Sequence, residues 1–479
     1  MNAVGIKSYS VYIPRLRMER AAIAAAHAWA VPGLSAIAKG ERSFCSWDED
    51  AITMSVDAVR ALLRSGSLNN INSLTFCSTT AVFSDFLNAS VVSAACGLAG
   101  SMTALDSTGS LRAGTSALIR ALQSSAVGDS VVVAADNRRA KPASAQEMQY
   151  GAAGAAFAVG SGDLIARVVA ADSNVNQFTD HFRSTGANYD YHWEERWVRD
   201  EGYLKIIPDL VGKLLLSNGL SGAQINHFCF ASTVPGSALS VAKILKIRAD
   251  AVVDNLAVRC GDTGAAHPLL LLAAALERAQ PGDRILVVGF GGGCDVLLLE
   301  ATEAIRDFCA GVSVSQALND GHKETQYNKF LAFSGELKMD WGMRAEFDAK
   351  TSLSQQYRVR EQVFSLIGGR CAVCGAAQFP PMPACVRCGA LEPMSAVPLA
   401  DESAQVVTFT ADWLSYYPAP PLYVGLVQFD NGARTLMEMV DVEPDHFDVG
   451  TRLRMVFRVK DRDDLRDHLR YFWKATPVG

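Results

Sequence analysis

The chain has 479 residues, of which 49% are hydrophobic and 20% charged, and its net charge is −6. That length exceeds one ordinary core, so two or three domains are expected. The acidic balance excludes a globally basic surface for nucleic acid.

Residues 21–38 are rich in alanine, but His27 and Pro32 interrupt the run and a strand-like segment precedes it. This reads as a buried helix and not as a signal peptide. A membrane span needs about 18 uninterrupted apolar residues, and no such run occurs. A cytoplasmic protein without membrane contact is expected. Of the eleven cysteines four are clustered, and seven are scattered (45, 77, 96, 229, 260, 294, 309). An odd scattered set in a large chain reads as reduced thiols.

An internal repeat follows. Residues 71–80 read INSLTFCSTT and residues 225–234 read INHFCFASTV. Each leads to a second strand signal, GDSVVVAAD from Gly128 and GDRILVVGF from Gly282, at the same interval of 57 residues. Between them each half carries a Thr-Gly step (Thr108-Gly109, Thr263-Gly264) that opens an apolar helix. The second helix is apolar all round (Leu269 to Leu276), which requires burial on every side. The strands are apolar runs, as in a sheet covered on both faces. Two β-α-β units around buried helices make a layered α/β sandwich.

After about residue 303 the composition becomes polar and mixed, and residues 304–360 read as a helical connecting arm without sheet. Cys371-x-x-Cys374 and Cys385-x-x-Cys388 follow, ten residues apart, each pair ending in Gly375 or Gly389. Four thiolates at this spacing suit tetrahedral Zn²⁺, and with every position filled by protein the zinc is structural. Then come the strands QVVTFTADW, LYVGLVQF, RTLMEMVDV and TRLRMVFRVK, two of them joined by an Asp430-Asn431-Gly432 hairpin turn. Short strands without intervening helices indicate a small β-barrel. In the last of these strands Leu453, Met455, Phe457 and Val459 alternate with Arg452, Arg454, Arg458 and Lys460. The basic face is either a phosphate-binding surface or a charged, solvated edge. The run 460–470 reads as a solvated helix.

These residues carry a family resemblance. GIKSYSVYIPRLRMERAAI, WDEDAITMSVDAVRALL, RAGTSAL, LSVAKILKI and PGDRILVVGFGGG resemble the archaeal-type hydroxymethylglutaryl-CoA synthase branch of the thiolase superfamily, over residues 1–303. QQYRVREQVFSLIGGRCAVCGAAQFPP resembles the rubredoxin-type zinc ribbon and OB-fold partner of such thiolases, over residues 325–460. The resemblance implies a five-layer thiolase fold with internal duplication, plus a zinc ribbon and an OB-fold barrel. It further implies a homodimer or higher homo-oligomer and a coenzyme A thioester substrate, with no nucleic-acid partner. The expected division is 1–170 and 171–303 for the thiolase halves, 304–362 for the arm, 363–398 for the ribbon and 399–479 for the OB-fold.

The family's mechanism uses a cysteine nucleophile at a helix start, assisted by a glutamate, a histidine and an asparagine. Matching the motifs puts Leu111 at the cysteine position, Thr79 at the glutamate, Ala231 at the histidine and Asp262 at the asparagine. All four depart from the pattern, and leucine cannot form a thioester. What remains is Gly291, Gly292 and Gly293 of the family's glycine loop, whose amides stabilise an oxyanion or enolate. Asp262 and His267 are candidate proton-transfer groups, and Ser110 is a candidate substrate contact. The plainer alternatives are an N-cap for Asp262, a core histidine for His267 and a helix-start residue for Ser110. Cys260 and Cys294 flank the region as small buried hydrophobes or as nucleophiles. Asp180 and Arg183 match a recurrent pair of the family, read as a structural salt bridge. The expected function is aldol or retro-aldol chemistry on a β-hydroxyacyl-CoA without a cysteine nucleophile. The alternatives are a Claisen-type acyltransferase and a non-catalytic acyl-CoA-binding scaffold.

Overall fold

The computed structural model describes residues 3–65, 68, 70–98, 100–124, 128–340, 351–463 and 466–478. Two compact units divide the chain. The first holds Met1–Ser46, Asp50–Val92 and Gly100–Leu337, and the second holds Trp47–Glu49, Ser93–Ala99 and Lys338–Gly479.

The first unit is built on nine strands, β1 (Val4–Tyr12), β2 (Ile71–Cys77), β3 (Thr103–Ser107), β4 (Asp129–Asn137), β5 (Ala152–Ser161), β6 (Ala166–Val175), β7 (His227–Phe230), β8 (Arg284–Phe290) and β9 (Gly293–Ala301). Their order is β7-β8-β9-β6-β1-β5-β4-β2-β3. The sequence repeat is visible in this order. In one half β2 runs parallel to β4, and in the other β7 runs parallel to β8. The halves meet where β1 pairs antiparallel with β6, Gly5 opposite Arg167 and Ile6 opposite Ala166. On the far side of β2 stands β3; beside β7 its counterpart is a single parallel bridge from Phe228 to Val252.

Four helices complete the layers: α1 (Ala51–Ser65), α2 (Ala113–Ser124), α3 (Leu204–Ser217) and α4 (His267–Leu276). Helix α2 touches β2, β4 and β5 of one half and β8 and β9 of the other, and α4 likewise touches strands of both. They form a central layer between two half-sheets, with α1 outside one and α3 outside the other. Strand alternation accounts for this. Ile285, Val287, Leu297 and Leu299 face the central helices, while Leu286, Val288, Val296 and Leu298 face α3. Both faces are therefore apolar and the strands read as unbroken runs. Every residue of α4 is buried, as its all-round apolar pattern requires. The five-layer thiolase arrangement with internal duplication is thus observed.

Other expectations need correction. The alanine-rich stretch is not a buried helix. Only Arg20–Ala26 is α-helical, a 3-10 turn follows at Pro32–Ile37, and Trp29 between them is 87% exposed. Pro32 has no N–H and cannot continue a helix. The arm is not free of sheet, because His322–Glu324 pairs parallel with Leu16–Glu19. Helices flank this strand at Val314–Asn319 and Tyr327–Phe333. The part of the arm at 341–350 lies outside the described residues.

In the second unit the ribbon is a three-stranded sheet of Ile367–Arg370, Ala377–Gln378 and Ser395–Pro398. The expected barrel is present and closed. Its strands are Ala404–Asp412, Leu422–Phe429, Arg434–Met439, Arg452–Asp463 and His468–Pro477. The expected hairpin turn sits between the second and third, with Gly432 at φ 89°. The end of Arg452–Asp463 and the start of His468–Pro477 stand where a helix was expected at 460–470. Tyr471, Trp473 and Ala475 continue a period-two apolar pattern that favours a strand over a helix. Residues 464 and 465 of that run lie outside the described residues. Arg452–Asp463 is consequently not an edge, since it pairs on both sides. Arg458 on its supposedly solvated face is buried, 3.2 Å from Glu49. Among the described residues no helix is long and apolar enough to cross a membrane.

Candidate active site

The four clustered cysteines meet as their spacing requires. Their Sγ atoms all lie within 4.8 Å of one another. Cys371 and Cys388 are 3.7 Å apart, and Cys374 and Cys385 are 3.6 Å apart. A tetrahedron with Zn–S bonds of about 2.3 Å has S···S edges of roughly 3.8 Å, so the residues fit zinc. Each knuckle turns through a glycine in the left-handed region, Gly375 and Gly389, both at φ 72°. The amides of Val373 and Arg387 point at Cys371 and Cys385, 3.4 Å away, and support the thiolates. Zn²⁺ held there by four protein ligands has no open position for chemistry.

A cavity of about 230 Å³ opens in the first unit. Leu111, Ala231 and Asp262 all line it. Three of the four motif positions that sequence matching singled out are therefore brought together. Leu111 stands just before α2, and Asp262 stands just before α4. A wide π turn at Val198–Tyr203 carries Val198 and Tyr203 to the same wall. Pro208, inside the following α3, has no N–H to bond back to Leu204.

Thr79 is held one step behind the cavity by Asp136. This fully buried carboxylate accepts from Ser78 Oγ, Thr79 N and Oγ1, Thr80 N and Oγ1, and Ala265 N, at 2.7–3.0 Å. It ties the end of β2 to the start of α4. Gly264 is needed there, at φ +62°, because a Cβ would lie 2.3 Å from an Asp136 oxygen. Asp136→Ala leaves several buried donors without a partner, at about 1–3 kcal/mol each. The expected result is a loss of several kcal/mol in denaturant unfolding, with Asp136→Asn intermediate.

The proposed site residues behave differently from one another. The Asp262 carboxylate pairs with Arg138, and its Oδ1 also accepts from Gly264 N at 3.1 Å; the N-cap of the 3-10 turn Gly264–Ala266 is Thr263, not Asp262. Burial pushes Asp262 up, but Arg138, His267 and the Gly264 amide together outweigh it and hold the carboxyl below the ordinary range. His267 lies 3.9 Å from Asp262. Its Nδ1 accepts from Thr263 N at 3.1 Å and its Nε2 donates to Asn255 O at 2.9 Å. Both ring nitrogens are occupied, and burial lowers its pKa. Ser110 is outside the cavity lining and donates to Gly291 O at 3.0 Å. The Gly291 amide is taken up by Gly293 O at 3.0 Å. A Cβ on Gly291 would come within 2.6 Å of Ser110 Oγ, so the glycine loop packs directly on the start of α2. Cys260 and Cys294 are buried outside the lining, and burial pushes each thiol up to about 12.

Asp180 and Arg183 do not pair with each other. Arg183 bonds Asp190 at 2.7 Å and the Thr79 carbonyl, while Asp180 lies 3.2 Å from His181 Nδ1. Sequence reasoning missed this part of the site. Residues 181–182 and 191–192 form a two-stranded ribbon in which His181 stands directly opposite His192. Trp193 N extends it by donating to Asp180 O at 2.9 Å. Asp180, His181, His192 and Trp193 all line the cavity. Tyr150 donates to Asp190 at 2.8 Å and also contacts His192 Nε2. Arg138 lies over the Tyr150 ring at 3.9 Å and 3.7 Å from Asp190. The only sequence signal was a pair of histidines eleven residues apart around Gly186.

A family model described as the 3-oxoacyl-[acyl-carrier-protein] synthase III C-terminal domain matches residues 215–297. A second, the ChsH2 rubredoxin-like zinc ribbon domain, matches residues 361–393. The hydroxymethylglutaryl-CoA synthase of Pyrococcus furiosus is 29% identical over 325 residues, covering 65% of this chain and 91% of that protein. That of Methanopyrus kandleri is 27% identical over 344 residues, covering 70% and 98%. Among solved structures, MvaS in complex with 3-hydroxy-3-methylglutaryl coenzyme A superimposes with a TM-score of 0.61 at 19% identity, over 71% of this chain and 93% of that one. FabH from Pseudomonas aeruginosa superimposes with a TM-score of 0.55 at 20% identity, over 63% and 98%. What the chain carries is thus a hydroxymethylglutaryl-CoA synthase-like domain of the thiolase superfamily, with a ChsH2-type rubredoxin-like zinc ribbon toward its C-terminal end.

Proposed function

We propose that this pocket makes or breaks a carbon–carbon bond in a CoA thioester, by an aldol or retro-aldol step on a β-hydroxyacyl-CoA that uses no cysteine nucleophile. The observation that carries the reading is Leu111, an inert side chain lining the cavity where the resembling family has its cysteine. Among the described residues no cysteine lines the cavity. Burial raises the thiols of Cys77, Cys229, Cys260 and Cys294, which disfavours thiolates. A retro-aldol step needs a base, a returning proton and enolate stabilisation. The glycine loop 291–293 packs beside Leu111 but is not part of the cavity lining, and its Gly291 amide is already bonded to Gly293 O. Asp262 is a weak base while Arg138 holds it ionised. His267 and Ser110 act through packing, one securing the start of α4 and the other the glycine loop.

A second reading is a Claisen-type acyltransferase. The hydroxymethylglutaryl-CoA synthases among the relatives favour it. It would require a nucleophile other than residue 111. Iodoacetamide discriminates between the two. Turnover of a β-hydroxyacyl-CoA panel by the zinc-loaded chain should survive alkylation, and inactivation with a labelled pocket cysteine would establish the acyltransferase instead. A chain that neither binds nor turns over any thioester would be a scaffold. The reading includes structural Zn²⁺, a cytoplasmic location and a homodimer, for which β3, a sheet edge with Leu105 exposed, is a candidate surface. Light scattering tests the dimer.

A further inference from the structure

We infer that His181, held by Asp180, is the base that moves the proton in this pocket, with His192 facing it across the ribbon; the inference rests on the acyl-CoA reading above. Geometry separates the three histidines of the region. His267 has both ring nitrogens bonded within the protein and does not line the cavity. His181 does line it and uses only Nδ1, which sits 3.2 Å from Asp180. Among the described residues nothing bonds its Nε2. A carboxylate that takes the Nδ1–H leaves the lone pair on Nε2 and supports the imidazolium once it forms.

Asp180 is suited to this positioning role. Burial pushes it up, but hydrogen bonds and the nearby His181 charge together outweigh that and hold the carboxyl below its ordinary range. His192 has a different environment. Tyr150 has one hydroxyl proton, and Asp190 takes it at 2.8 Å, so His192 Nε2–H donates to the Tyr150 oxygen. Burial, with His181 nearby, pushes His192 down to about 4, so it stays neutral. The ring centroids of the two histidines are 5.5 Å apart. A neutral His192 lets His181 become charged without a like charge opposite it. The other charged groups in the cavity wall are Asp262, Arg138 and Glu195.

The step balances with no further reactant. In the cleavage direction Nε2 of His181 takes the proton of the β-hydroxyl. The O–H electrons form the carbonyl, the Cα–Cβ bond breaks, and its electron pair becomes the thioester enolate. The imidazolium then returns its proton to Cα, leaving an aldehyde or ketone and a shortened acyl-CoA.

Exchange of α-protons for deuterium in acetyl-CoA and propionyl-CoA, followed by mass spectrometry, tests the second half of this step with the full zinc-loaded chain. His181→Ala and His181→Asn should each exchange on the order of 10²-fold or more slowly than wild type. Free imidazole should partly restore His181→Ala, while thioester binding by calorimetry changes less than about threefold. Asp180→Asn should lower the exchange rate more than it changes binding. Wild-type exchange in both His181 variants, alongside loss in Asp262→Asn, would overturn the inference and leave the acyl-CoA reading standing. So would a dead His181→Ala that imidazole does not revive. A wild-type chain that neither binds nor exchanges either thioester would instead remove the acyl-CoA reading, and the inference with it.

Discussion

Cys371→Ser is expected to abolish zinc binding and unfold the ribbon. The three strands of that sheet are four, two and four residues long. So little regular structure cannot bury enough apolar surface to offset chain entropy. The metal must supply the difference, and structural zinc typically contributes about 10–16 kcal/mol of apparent binding energy at neutral pH. Three thiolates with a serine hydroxyl hold Zn²⁺ far more weakly than four thiolates. Metal analysis should fall from one zinc per chain toward none, and residues 363–398 should become the first site of proteolysis. Chelation of the wild type should produce the same cleavage pattern. Cys309→Ser, at an exposed cysteine outside the cluster, should change neither. A Cys371→Ser chain that keeps its zinc and resists protease would show that the strands alone sustain the ribbon.

Arg138→Met should be the most damaging single change near the cavity. The guanidinium is 1% exposed and stands between Asp262 and Asp190. Burial alone would lower its pKa, but Asp262, Tyr150 and Asp190 outweigh that and raise it, so it is charged at every working pH. Its removal leaves the Asp262 carboxylate without its guanidinium partner and Asp190 with the guanidinium of Arg183 alone. Breaking a buried pair in this way costs about 3–5 kcal/mol. Arg138→Lys should recover only part, because an ammonium lacks the planar fork that reaches two carboxylates.

The pH dependence follows from Asp262. Its carboxyl is depressed in the folded protein, so its pairing stabilises the fold above the unfolded carboxylate range, near pH 4. That stability is lost as pH falls through the folded value. In Arg138→Met the Asp262 carboxyl protonates more readily, and the deficit against wild type should be larger at pH 7 than at pH 5. Denaturant unfolding at the two pH values measures this, and an equal deficit at both would mean that packing against Tyr150, not charge, is the larger part of Arg138's role.

Much of the architecture is legible in the amino-acid sequence. The duplicated strand-helix-strand unit rests on local pattern, apolar runs of strand length and a helix with no polar face. The cysteine knuckles and the Asp430-Asn431-Gly432 turn are short-range as well, since their geometry is set by residues a few positions apart. Pattern failed where it competed with context. The stretch 460–470 has helix-like charge spacing, yet Tyr471 and Trp473 pull the end of the run into the barrel. Residues 21–38 have helix-forming composition, yet Pro32 and the lack of a covering layer limit the helix to seven residues.

The site divides along the same line. Sequence matching located Leu111, Ala231 and Asp262, because each belongs to a motif that the fold repeats, and it put a leucine at the family's cysteine position. It could not say that His267 has both nitrogens bonded, nor that Arg138, Tyr150 and Asp190 support a second pair of histidines. His181 and His192 sit on strands two residues long, and a period of two cannot be read from two residues. Their chemistry depends on which groups face them and on how far burial shifts their charge. Those are properties of side chains distant in sequence, brought together only when the half-sheets close around the central helices. The sequence by itself determined the layers, the cysteine cluster and the leucine at the family's cysteine position; the tertiary structure decided which side chains, His181 and His192 among them, line the cavity.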